Sequence, residues 1–302
     1  MTLRKIISVF ILVFFSASFA YAKTKEVQAL EAEQQINVFS IAGYGDKGKK
    51  TWDLSAKSAD VFTDTVKLKE IIGNLYGESE NVKLTADKGD FDKAKANVHL
   101  EQNVVVTTSS GARLTTDSLD WNRKNQIVST KNVVNIERGN LITVAEGATG
   151  EPNLNKMTLE KDVKVKIEPE ASAQKEAVNK NKTITINCDG PVQIDYQKNI
   201  ATFNTNVKVE SDDIQLYSDA MDVYFLLDKK SANPTSSDQT LAGMGSKLER
   251  IIAKGNVKII KGENTSYSDE AVYTAADKKI TLLGRPKLII YSTEDLNASI
   301  GN

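Results

Sequence analysis

The sequence holds one cysteine, one histidine, five prolines and two tryptophans in 302 residues, and neither sign of charge prevails, with 39 Lys and Arg against 40 Asp and Glu. Each shortage excludes something. A lone thiol, Cys188, closes no intramolecular disulfide, so stability has to come from packing. One histidine with one cysteine cannot build the usual zinc sites. A near-neutral balance lacks the basic excess that neutralises phosphates in a nucleic-acid binder. At 40% hydrophobic residues the chain is too apolar for disorder, and its length suits one large or two ordinary domains.

A long apolar run occurs once, at the start. Arg4 and Lys5 precede Ile6 to Phe15, and small residues follow to Ala20-Tyr21-Ala22. This is the pattern of a secretory signal cleaved after Ala22. The rival reading is an uncleaved membrane anchor, since the stretch reaches about 17 residues, the lower limit for crossing a bilayer. Cleavage leaves 37 basic against 40 acidic residues, a balance of -3. Nothing after Ala22 is long and apolar enough to span as a helix, so the remainder is expected to be soluble and outside the inner membrane.

What fills the chain from Thr51 onward is alternation. Val163-Lys-Val165-Lys-Ile167, Ile184-Thr-Ile186-Asn-Cys188 and Val192-Gln-Ile194-Asp-Tyr196 are examples. Period two gives each strand one apolar and one solvated face, as in antiparallel sheet. Polar clusters such as Asn122-Arg-Lys-Asn125, Gln197-Lys-Asn199 and Asp277-Lys-Lys279 suit the hairpin turns of a long meander. The fold class expected is all-β.

The alternation also repeats. An Asn/Asp-Val dipeptide, read as opening a strand, recurs at Asn81, Asn103, Asn132, Asp162, Asn206 and Asn256, at spacings of 22, 29, 30, 44 and 50 residues. An acidic residue precedes several copies: Asp87, Asp117, Glu146 and Asp189. Asn97-Val98 is a copy out of phase. Such units bury a face only by stacking on their neighbours. The polar, Pro-containing stretch 169–182 reads as a linker between domains at 36–168 and 183–293. Residues 228–245 read as a loop, Thr24 to Gln35 as a short helix, and the residues after Thr293 as frayed.

Chemistry-bearing constellations are scarce. His99 faces away from Val98 and Leu100 with no partner visible in sequence, which gives a solvated histidine. Cys188 extends the Ile184/Ile186 face as a small buried hydrophobe. Asp87, Asp90 and Asp92 do not follow a calcium loop and read as residues flanking a turn. Gly243-Met-Gly245 lacks the strand-to-helix setting of a phosphate loop. Lys208, Lys254, Lys258 and Lys261 form a basic cluster on a solvated face, and Trp52 and Trp121 read as core. No catalytic residue, metal site or cofactor is expected, which favours binding or assembly over an enzyme.

Two sets of residues carry a family resemblance. Residues 43–167, with Thr51-Trp52-Asp-Leu54-Ser-Ala56, Leu84-Thr-Ala86-Asp87-Lys-Gly89 and Leu114-Thr-Thr-Asp117-Ser-Leu119-Asp-Trp121, resemble LptC. Residues 184–291, with Ile200-Ala-Thr-Phe203-Asn-Thr-Asn206-Val207-Lys-Val209 and Ala253-Lys-Gly255-Asn256-Val257-Lys-Ile259, resemble LptA and the wider OstA-like domain. The chain is thus similar to the lipopolysaccharide transport proteins of the bacterial periplasm. The resemblance implies two incompletely closed β-jellyrolls, each with an apolar groove for the acyl chains of lipid A. It implies a place in the bridge between an inner-membrane ABC exporter and an outer-membrane translocon, with end-to-end self-association through edge strands. It also raises a departure, because LptC is typically anchored by an uncleaved helix and LptA is a separate soluble protein. The alternative class is a secreted structural or carbohydrate-binding β repeat protein.

For the groove, alternation offers Val104, Val106, Val163, Val165, Ile194, Tyr196, Val207, Val209, Val257 and Ile259. The same side chains equally suit a closed sandwich core, and alternation alone does not separate the two. For a docking edge, Ile280, Leu282, Leu288 and Ile290 lie on strongly strand-forming segments near the C-terminus. Ile36 to Ile41 or Thr51 to Ala56 is the expected edge at the other end.

Overall fold

The computed structural model describes residues 32–45, 48–77, 81–125, 127–150, 156–168, 183–227, 240–241 and 246–291. The expected signal or anchor at 1–22, the linker at 169–182, Gly243-Met-Gly245, most of the 228–245 loop and the residues after Thr293 lie outside these ranges. Residues 32–302 form one compact unit.

Period two gives what it predicts, and the strands are long. They are β1 (Gln34–Tyr44), β2 (Lys50–Val61), β3 (Thr65–Tyr76), β4 (Asn81–Asp92), β5 (Asn97–Thr108) and β6 (Arg113–Asn122). There follow β7 (Ile127–Arg138), β8 (Leu141–Gly150), β9 (Lys156–Ile167), β10 (Ile184–Cys188), β11 (Val192–Asp195) and β12 (Ile200–Glu210). The chain continues through β13 (Ile214–Leu227), β14 (Thr240–Leu241), β15 (Ser246–Lys261), β16 (Asn264–Thr274), β17 (Lys279–Leu283) and β18 (Lys287–Ile289). The expected helix over Thr24 to Gln35 does not reach its end, because Gln34 and Gln35 open β1 opposite Val61 and Asp60.

Each strand from β1 to β9 pairs antiparallel with the next. β9 then pairs with β10 and β11, which share one row against β12. The ladder continues through β13, β15 and β16 to a last row made of β17 and β18. Hydrogen bonding therefore passes from 156–167 to 184–195 without a break in the sheet. The row of β10 and β11 is interrupted at Asp189-Gly190-Pro191. Gly190 has φ of 96°, and a Cβ there would sit 2.4 Å from the Glu160 carbonyl, so no other residue fits that crossing.

The repeated dipeptide does not do what its position in the sequence implies. Of the six copies only Asn81 opens a strand; the others sit in mid-strand, where the register shifts by a bulge. Asn103, Asp162, Asn206 and Asn256 take left-handed φ values between 47° and 55°. Asn and Asp tolerate that conformation because a short polar side chain can bond locally. Three of them do so across strands: Asn103 Nδ2 donates to Asp87 at 2.6 Å, Asn206 to Asp189 at 2.6 Å and Asn256 to Asp219 at 2.8 Å. Asn132 instead donates to Ser118 Oγ at 2.9 Å. Arg285, at φ 45°, repeats the device against Asp269 at 3.4 Å.

A bulge bends its strand, and a row of bulges across neighbouring strands creases the whole sheet. The crease divides it into two leaves. One leaf holds residues 50–56, 71–76, 81–86, 104–108, 113–116 and 133–138; the other holds 88–92, 97–101, 118–122, 127–130, 146–150 and 156–161. The leaves face each other. Trp52 of β2 meets Trp121 of β6 edge to face with ring centroids 5.6 Å apart. In a flat sheet those strands would lie about 19 Å apart, at four steps of roughly 4.8 Å.

The buried apolar side chains fall into three clusters. Leu54, Leu68, Ile71, Leu84, Val98, Leu100, Val104 and Trp121 lead the first, between β2 and β6. The second runs from Val134 of β7 to Phe225 of β13, so both sides of 169–182 contribute to it. Ala253, Val257, Ile259 and Ala271 form a small third. The result is an all-antiparallel jellyroll-type β fold; among the described residues there is no helix long and apolar enough to cross a membrane.

Candidate functional site

Away from the crease the leaves stand apart and enclose an apolar cleft of about 100 Å³. One leaf contributes Leu75, Val82, Leu84, Val106, Leu114 and Ile136. The other contributes Leu119, Val128, Ala148 and Met157, with Thr108 and Thr130 among the few polar side chains. These positions alternate with exposed residues, so each strand turns aliphatic carbon inward and charge outward: Ile136 lines the cleft and Glu137 faces solvent. Aliphatic walls without charge fit hydrocarbon.

The residues expected to line a groove are placed differently from one another. Val104, Val163, Val207 and Val257 each follow a bulge residue directly and are 0–1% exposed. They lie at the crease, where the leaves meet and no space remains. Val165 and Ile259 are also buried, whereas Ile194, Tyr196 and Val209 are half-buried. Of the ten, only Val106 borders the cleft. Sequence reasoning missed the rest of the lining. Position relative to the dipeptide does not mark the lining, since Val82 belongs to the Asn81 copy and Thr130 stands two residues from Asn132.

At the edges, Ile280, Leu288 and Ile290 are exposed, and Leu282 is half-buried against the third cluster. β18 stops at Ile289, short of Ile290. β17 and β18 pair with β16 and have no second partner among the described residues. At the opposite end β1 is the edge. Thr51 to Ala56 is not, because β2 is paired on one side with β1 and on the other with β3.

The remaining candidates have structural settings. His99 Nδ1 lies 2.7 Å from Asp120. Cys188 is buried, and burial pushes its thiol up, away from reactivity. Asp92 accepts the backbone N–H groups of Ala94 and Lys95 in its turn. Lys254 donates to Asp222 at 2.6 Å on the outer face. At the rim near Trp52, Asp53 accepts from Asn74 at 2.7 Å, Tyr76 at 2.8 Å and Lys50 at 3.2 Å. Burial alone would raise that carboxyl, and the three hydrogen bonds outweigh it and hold it below its ordinary value. Among the described residues no group of three His, Cys, Asp or Glu is placed to hold a metal ion.

A long bulged antiparallel sheet folded over an aliphatic cleft is the structural class of this chain. Comparison with known families is more specific. The model described as "Lipopolysaccharide-assembly, LptC-related" matches residues 5–168, and that of "LptA/(LptD N-terminal domain) LPS transport protein" matches residues 190–299. The chain belongs to the LptC-related lipopolysaccharide-assembly family, with an LptA/LptD-type region following in the same polypeptide. It is a lipopolysaccharide transport protein, periplasmic or associated with the inner membrane. Neither match supports a structural or carbohydrate-binding repeat protein. Among solved structures, the crystal structure of LptH, the LptA-homologous periplasmic component of the transport device from Pseudomonas aeruginosa, is similar at 11% identity and a TM-score of 0.29. That likeness covers 61% of this chain and 96% of LptH. No curated protein matches the chain.

Proposed function

We propose that the cleft between the leaves is the track for lipid A acyl chains, with the sugars held outside, and that the protein acts as a carrier and not as an enzyme. The apolar lining of the cleft supports this reading. Burying hydrocarbon gains about 0.8 kcal/mol per CH₂, so a chain of a dozen carbons gains about 10 kcal/mol without any polar contact to hold it in place. Weak, sliding contacts suit a cargo that must move on. Val104, Val163, Val207 and Val257 then act as the sealed floor, and Val106, Leu84 and Ile136 as the wall.

Domains at 36–168 and 183–293 form one path in this reading, because β9 pairs with β10 and β11 and the second core draws on both sides. β1 and the β17/β18 row are the surfaces for strand addition to the inner-membrane ABC exporter, the outer-membrane translocon or a second copy. Residues 1–22 are a signal cleaved after Ala22, which frees the carrier into the periplasm. Leu288→Pro should abolish end-to-end association and leave the monomer folded; unchanged association counts against the edge.

Native mass spectrometry of the chain purified from lipopolysaccharide-producing cells tests the track. The unmodified chain should carry lipopolysaccharide, and Ile136→Trp, which fills the cleft, should carry little. Equal loading of a folded Ile136→Trp chain would overturn the proposal.

A further inference from the structure

The end of the cleft holds a positive charge that the fold leaves unpaired. Arg123 continues the inward series Leu119, Trp121 just past the end of β6. Its guanidinium carbon lies 4.5 Å from the centroid of Trp52, on one leaf, and 4.6 Å from that of Phe91, on the other. It therefore bridges the gap between the leaves. Trp52 itself lies flush on the backbone, since a Cβ on Gly43 would meet its indole at 2.0 Å. Among the described residues the Arg123 side chain makes one hydrogen bond, from Nε to the Ala96 carbonyl at 3.2 Å. No carboxylate among the described residues pairs with it, and burial depresses its pKa with nothing offsetting.

A second donor in this cluster is unmet. Trp121 is buried, and its Nε1 has no hydrogen-bond acceptor. Both tryptophans stand beside cleft residues across the sheet: Trp52 opposite Leu75, and Trp121 opposite Val128. Leu75 and Val128 are cleft residues. A half-buried guanidinium with aromatic faces but no counter-charge beside it keeps free donors, and an oxyanion at its fork satisfies them. Arg is suited to this because its planar donors match phosphate oxygens two at a time.

We propose that Arg123, with the Trp121 indole N–H, forms an anion subsite that takes the phosphate group of an amphiphile whose hydrocarbon lies in the cleft. The subsite rests on the lipid track proposed above and adds a polar register point at its end. Hydrocarbon slides along the walls, and the phosphate fixes where the head group stops.

The experiment uses a built-in reporter. The chain has two tryptophans, Trp52 and Trp121, and both are in the subsite. Intrinsic fluorescence of the full chain is titrated with decyl phosphate, decyl maltoside and inorganic phosphate, each below its micelle concentration where it has one. Decyl phosphate should bind at least about tenfold more tightly than decyl maltoside, as expected of charge-assisted hydrogen bonds. Arg123→Gln should erase that preference and leave the maltoside affinity within about twofold, the neutral chain making no use of the charge. Arg123→Lys, which keeps charge without the fork, should retain part of the preference and serves if the Gln variant does not fold. Equal affinity for the two amphiphiles, or a preference unchanged in Arg123→Gln, overturns the subsite and leaves the track standing. Binding of neither amphiphile overturns the track and the subsite with it. Saturable binding of inorganic phosphate as tight as that of decyl phosphate overturns the lipid head group as the source.

Discussion

The crease and the rim of this sheet are written in the same alternating pattern and do opposite things. At the crease Val104, Val163, Val207 and Val257 are sealed. At the rim Val106 and Ile136 are half-buried and border the cleft. The side chains are equally aliphatic, so composition does not account for the contrast. Distance from the line of bulges does, because two leaves hinged at a fold separate as they leave it. A closed core and an apolar cleft are thus two positions on one device.

Substitutions can break this contrast or sharpen it. The largest effect is expected at Leu100, 0% exposed in the first core. Leu100→Ala should cost about 2–5 kcal/mol in urea unfolding, from lost transfer energy and a new cavity. Next comes the hinge itself. Asn206→Ala loses both tolerance of a φ of 55° and the bond to Asp189, and should cost about 1–2 kcal/mol. Asn132→Ala, outside the left-handed region, should cost less, and an equal cost at both sites would show that backbone conformation is not what these residues supply.

How much of this was legible follows from the same residues. The strands and their hairpins came from period two, a local signal. The Asn/Asp-Val repeat was visible, yet its role was misplaced. Sequence shows that Asn103 and Asn206 recur, whereas a left-handed φ in mid-strand and a partner 16 or 17 residues upstream are properties of the paired sheet. The cleft was legible only as a face. Alternation says that Val104 and Val106 point the same way; which of them meets the opposite leaf depends on the crease. The Arg123 cluster was hidden for a related reason, since Trp52, Phe91 and Trp121 come together only when the leaves close.

Two smaller effects complete the comparison. At the rim, Asp53 has a carboxyl held below its ordinary value, so its contribution is complete above the unfolded pKa near about 3.9 and is lost as pH falls through the lower folded value. The stability difference between the native chain and Asp53→Asn should be flat above about pH 5 and shrink below about pH 4. A difference that grew on acidification would contradict the network. The smallest effect is expected at Ile136→Ala, which enlarges a space already open and should cost under about 1 kcal/mol, against the much larger cost at Leu100.

Photo-crosslinking in lipopolysaccharide-producing cells tests the central claim most directly, with the crosslinker placed at Ile136 inside the cleft and at Glu137, the next residue, outside it. The account predicts lipopolysaccharide adducts at Ile136 and few at Glu137. Equal labelling at the two positions, or none at Ile136 in a folded chain, would contradict it.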